Sequence, residues 1–130
     1  MSRYYNQSVN KYVRGEPRDH ILAKYTIAAI GAIHDYDFTV EVKTATAEGY
    51  TIDIELWDKQ DIRDRVAVNI DGGYHFANWR QTKKTKNRDR VLRDYFKWLG
   101  IRYAVLKVDE VRIENIPIIV RKLRIKNKSV

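Results

Sequence analysis

The chain predicts an α/β domain, a mixed central sheet of about four strands flanked by helices. Three observations carry that expectation. An apolar helical stretch at residues 18–32 comes first, and three strand-like segments follow between 38 and 70, the first two alternating apolar and polar residues and the third more apolar. A second helical stretch then leads through Gly100 into an apolar run at 101–108. Strands joined by turns make an antiparallel meander, whereas a strand reached through a helix can pair in parallel. The order is therefore helix, three-strand meander, helix, strand, helix.

The first helix is placed by Pro17, whose missing N–H suits a first helical turn. Its apolar positions (Ile21, Leu22, Tyr25, Ile27, Ala28, Ala29, Ile30) cover much of the circumference, so the helix is expected to be well buried. Asp19 and His20 lie in its first turn, where Asp19 complements the helix dipole; a reach of this pair toward a metal site is the alternative. Phe38-Thr39-Val40-Glu41-Val42-Lys43 alternates as a half-buried strand does. Glu48-Gly49 turns the chain into Tyr50-Thr51-Ile52-Asp53-Ile54, a strand expected to carry Ile52 and Ile54 on one face and Asp53 on the other. Residues 57–65 are charged and read as a solvated hairpin extension. Val66-Ala67-Val68-Asn69-Ile70 is a more apolar strand that runs into Asp71-Gly72-Gly73-Tyr74-His75.

Beyond His75 the chain turns basic. Arg80, Lys83, Lys84, Lys86, Arg88, Arg90 and Arg93 face a single acid, Asp89. The later part of this stretch is helical, with Val91, Leu92, Tyr95, Phe96 and Leu99 as its buried side. Lys86, Arg90, Arg93 and Lys97 form a stripe on another side. Gly100 is a C-cap. After the strand at 101–108, a last helix begins near Asn115, with Pro117 in its first turn, and ends by about Ile125.

With 130 residues this is one domain, read as residues 16–125 between a basic and aromatic arm at 1–15 and a polar tail at 126–130. The arm's tyrosines either stack on bases or pack back on the domain. No apolar run reaches the roughly 18 residues of a membrane span, and no secretory segment opens the chain, so a cytoplasmic location is expected. The absence of cysteine excludes disulfides, thiolate metal sites and cysteine nucleophiles. A net charge of +8 and a pI near 9.7 favour a polyanionic partner, most often nucleic acid.

The chemistry centres on residues 50–75. A hairpin that brings Asp53 and Asp71 together sets two carboxylates in mutual repulsion unless a cation lies between them or one is protonated. Hard cations such as Mg²⁺ or Mn²⁺ are held by one or two carboxylates, waters and substrate phosphates. His75 follows closely and titrates near neutrality. Taken singly, each residue has an ordinary role: Asp71-Gly72-Gly73 is a good turn, Asp53 suits an exposed strand face, and His75 suits a structural histidine.

These segments together resemble the PD-(D/E)xK, or restriction-endonuclease-like, nucleases, and more closely the very-short-patch-repair endonucleases and their small endonuclease-like relatives. The resemblance is carried over residues 18–125 by Ile52-Asp53-Ile54, Asn69-Ile70-Asp71-Gly72-Gly73-Tyr74-His75, Arg88-Asp89-Arg90-Val91-Leu92, Gly100, Glu110-Val111 and Glu114-Asn115-Ile116. It implies that Asp53 is the aspartate that holds Mg²⁺ or Mn²⁺, that Asp71 stands where other members of the superfamily carry lysine, and that Asn69 stands where a ligand glutamate is usual. It also implies that His75 moves protons or contacts phosphate. An amide oxygen at Asn69 carries no charge, which lowers Mg²⁺ affinity. Repair-type relatives use a backbone carbonyl there. Glu41-Val42-Lys43 spells the ExK pattern but reads as an exposed strand face.

The expected function is therefore a metal-dependent DNA endonuclease, with Asp53, Asp71, His75 and Asn69 catalytic and Arg80 to Arg93 holding the DNA backbone. The alternatives are a non-catalytic DNA-binding module on the same fold and a junction resolvase acting as a homodimer.

Overall fold

The computed structural model describes residues 18–72 and 79–127. The arm at 1–15, His75 and residues 128–130 of the tail lie outside the described residues. Chain order gives α1 (Arg18–Ile33), β1 (Tyr36–Lys43), β2 (Thr51–Asp58), β3 (Asp61–Asp71), α2 (Trp79–Leu99), β4 (Arg102–Lys107) and α3 (Ile116–Leu123), with two 3-10 turns before α3. The sheet order is β1-β2-β3-β4, antiparallel at the first two pairings and parallel at the third. This is the mixed α/β arrangement expected from the element order.

Two apolar clusters sandwich the sheet. On one face Ile54, Leu56, Val66, Val68, Ile70 and Leu106 pack against Ala23, Ile27 and Ile30 of α1 and Ile119 and Leu123 of α3. On the other, Ile52 and Ala67 pack against Leu92 and Phe96 of α2. Because β3 is covered on both faces, residues 66–70 are buried without alternation.

The turns follow their residues. Gly49 (φ +70°) closes the link between β1 and β2, and Gly100 (φ +74°) ends α2 in the left-handed conformation that glycine adopts freely. Pro117 lies in the first turn of α3.

Three expectations are corrected. First, α1 buries one stripe and leaves other apolar residues exposed, rather than being well buried around much of its circumference. Ala23, Lys24, Ile27, Ala28, Ile30 and Gly31 form its inner stripe, while Leu22, Tyr25 and Ile33 are exposed. Second, residues 57–65 form the expected hairpin extension but are not wholly solvated, since Asp58 is buried. A two-residue turn at Lys59-Gln60 joins β2 to β3, and the charges pair across it, Arg65 with Glu55 at 3.3 Å and over the Trp57 ring. Third, Ile52 and Ile54 lie on opposite faces of the sheet, since they belong to the two separate clusters. The period-2 rule is broken between them, and that break creates the site.

Candidate active site

The break runs across two strands. Val40 pairs with Ile54 and Val42 with Ile52, but the Glu41 position between them is unpaired and its φ is +54°, a left-handed conformation rare for glutamate. On the other side of β2, main-chain pairing with β3 ends at Ile54 and Val68. There, side chains replace the ladder. The Asp53 N–H donates to Asn69 Oδ1 at 3.0 Å, and the Ile70 N–H donates to Asp53 Oδ2 at 2.6 Å. Buried main-chain groups must find partners, and here a carboxylate and an amide supply them. Asp53 has thereby left the ordinary pleat.

Helix α1 covers this row with two side chains one turn apart. His20 Nε2 lies 3.1 Å from Ile70 O and 3.5 Å from Asp53 Oδ2. Lys24, buried in the inner stripe, forms an ion pair with Glu41. On the opposite face, Asn69 Nδ2 donates to Tyr103 Oη at 3.0 Å, and Tyr103 donates to Asp89 Oδ1 at 3.1 Å. Burial, with the negative charge of Asp89 beside it, pushes the Tyr103 hydroxyl well above the ordinary tyrosine value. It therefore remains a neutral donor at all ordinary pH. Arg88 reaches Asp71 Oδ1 at 3.2 Å and Asp89 Oδ1 at 3.4 Å. Among the described residues its buried Nε–H has no acceptor. A cavity of about 340 Å³ lined by Tyr50, Lys84, Thr85, Asn87 and Arg88 opens beside it.

Different side chains hold the sequence-predicted residues. Asp53, Asn69 and His20 meet at the break in the ladder. Asp71 sits at the end of β3 and is held by Arg88 from α2. Asp19 lines a cavity of about 290 Å³ with Asp109 and Arg112. Lys83, Lys84, Lys86, Arg90 and Arg93 are exposed along α2, with Arg93 over the Tyr103 ring at 5.5 Å from its centroid. Arg80 belongs to the first turn of the same helix. Tyr103, Lys24 and Glu41 have no site role in the sequence reading. The signal at Lys24 is legible in retrospect: a lysine in register with Ile27 and Ala28 sits on a buried stripe.

The donor set fits a hard divalent cation in part. Asp53 Oδ2 and the Ile70 carbonyl are hard oxygens directed at one point, the type of ligand Mg²⁺ prefers. The Asn69 oxygen is engaged by the Asp53 N–H and its amide nitrogen by Tyr103, so Asn69 serves as a strap between strands. Among the described residues no group of three or more His, Cys, Asp or Glu is arranged to hold a metal ion. Also among them, no helix is long and apolar enough to cross a membrane.

No family model matches the chain, and neither the curated proteins nor the solved structures contain a significant match.

Proposed function

We propose that the chain is a metal-dependent DNA endonuclease on a restriction-endonuclease-like fold. The observation that carries this reading is the break between β2 and β3, where the Asp53 carboxylate leaves the pleat and aligns with the Ile70 carbonyl. Non-glycine residues held in the left-handed conformation, as Glu41 is beside this break, cluster at functional sites. A cation bound at these oxygens would supply charge stabilisation at the scissile phosphate and acidify water.

The remaining roles belong to the chain itself. Arg88 and Lys84 flank the neighbouring cavity, and the unpartnered Arg88 Nε–H suits a phosphate oxygen. Asp71 holds that guanidinium in place. The exposed cations of α2 would position the backbone without reading bases. His75, beyond the described residues, is the proposed proton carrier.

The test is to incubate wild type and Asp53→Ala with labelled single-stranded, duplex, mismatched and four-way DNA in Mg²⁺, Mn²⁺ or EDTA. The expected outcome is cleavage by wild type in metal alone and none by the variant. A second reading, a non-catalytic DNA-binding module, is favoured by one observation: the Asn69 amide is committed at both ends. It predicts retarded but uncut DNA in both proteins, with or without metal. Four-way DNA cut in symmetric pairs would mark a homodimeric resolvase.

A further inference from the structure

His20 holds the point on which Asp53 Oδ2 and the Ile70 carbonyl converge, and we propose that it is a stopper that a divalent cation must displace. The inference rests on the metal-dependent reading above and goes beyond it by giving His20 a role opposite in sign to that of a ligand.

The geometry carries the argument. One nitrogen, His20 Nε2, lies 3.1 Å from Ile70 O and 3.5 Å from Asp53 Oδ2. The carboxylate oxygen is fixed by the Ile70 N–H at 2.6 Å, so both oxygens are anchored to the same residue of β3. An imidazole N–H directed between two oxygens satisfies them as a small cation does. A carbonyl only accepts, so Nε2 carries the proton that faces Ile70 O. A protonated nitrogen cannot ligate a metal, and cation–oxygen distances of about 2.1 Å leave no space for the N–H between the same two atoms. The two occupants exclude one another. His20 lies in the first turn of α1, before the buried stripe of the helix begins at Ala23, and its side chain is 15% exposed.

A ligand and a stopper give opposite results on removal. Mn²⁺ binding, followed by the electron paramagnetic resonance signal of free Mn²⁺, is measured for wild type, His20→Ala, His20→Gln and Asp53→Ala, each checked for folding by circular dichroism. His20→Ala is expected to bind Mn²⁺ about fivefold more tightly, the factor corresponding to one lost competing hydrogen bond. His20→Gln, which keeps an N–H for Ile70 O, is expected to stay near wild type. Asp53→Ala is expected to lose binding. Thermal unfolding gives a second readout, since the variant that binds more tightly shows the larger Mn²⁺-dependent rise in melting temperature. If wild type binds through Asp53 but His20→Ala binds equally or more weakly, His20 is not a stopper and this inference fails alone. An equal gain in His20→Gln also overturns it, because the N–H is then not what competes. If no protein binds Mn²⁺, the metal-dependent reading fails and takes the inference with it.

Discussion

At Asn69 one amide fastens two elements. Its oxygen accepts from the Asp53 main chain and its nitrogen reaches Tyr103 on β4. An alanine there strands a main-chain N–H in the sheet interior. Leaving a buried donor without a partner costs about 1–3 kcal/mol, so Asn69→Ala is expected to lower unfolding free energy in urea by that amount. Tyr103→Phe removes one donor and one acceptor in the same chain of bonds and is expected to cost about 1 kcal/mol. Because the two side chains touch, a double-mutant cycle should show coupling of at least about 0.5 kcal/mol. Additive losses would mean that Asn69 is no strap, and would restore its oxygen as a candidate ligand.

At the scale of the element, β1 and β2 reverse faces while keeping register. Val40 joins the α1 cluster and Val42 the α2 cluster, and the left-handed Glu41 between them makes the change. The ion pair it forms is asymmetric, with the Lys24 side chain 3% exposed and Glu41 53% exposed. Removing the carboxylate takes a counter-charge from a buried ammonium, whereas removing the ammonium leaves a carboxylate in water. Glu41→Gln is therefore expected to destabilise by about 2–3 kcal/mol, and Lys24→Met to be neutral or stabilising. Thermal denaturation of the two variants checks the order; the reverse order would refute it. The contrast also shows what the sequence can convey. Periodicity finds a strand at 50–54 because apolar and polar residues alternate there, and it assigns Asp53 to a solvent face by the same rule. The site exists because the rule fails at Asp53, and nothing in the pattern of Ile52 and Ile54 marks the failure. Helix α2, by contrast, is legible in its later part, where its cations and its buried Leu92 and Phe96 follow the helical period; its start at Trp79 is not, and Leu99, expected to be buried, is exposed.

The whole molecule is closed far from the candidate site by Asp64. Its carboxylate accepts from Tyr36 on β1 and Arg102 on β4, while Lys126 approaches to 3.5 Å. Burial opposes the charge, but the hydrogen bonds from Arg102 and Tyr36 outweigh it and hold the Asp64 carboxyl below the ordinary aspartate value. A depressed carboxyl contributes stability that is complete above its unfolded value and is lost as pH falls through the folded one. Asp64→Asn is thus expected to lower stability by about 2 kcal/mol at pH 7 and by less in acid, as the two proteins converge. A difference that stays constant down to pH 2 would show that packing, not charge, is responsible.

Charge also governs what the molecule meets. A net +8 is spread over 130 residues, but Lys83, Lys84, Lys86, Arg90 and Arg93 stand exposed on one helix beside the Arg88 cavity. If this helix lies along a DNA backbone, each phosphate contact releases condensed counterions. The slope of log affinity against log salt then falls by about 0.9 per contact removed. Lys83→Ala, Lys84→Ala and Arg90→Ala combined are expected to lower the slope by about 2–3 and to weaken duplexes of different sequence alike. Arg102→Ala, which removes a cation bound to Asp64 inside the fold, is expected to leave the slope unchanged while lowering the melting temperature. Fluorescence anisotropy between low and moderate salt measures both. An unchanged slope in the triple variant would move the nucleic-acid surface off α2, and equal effects from Arg102→Ala would show that total charge, not this helix, attracts the polyanion.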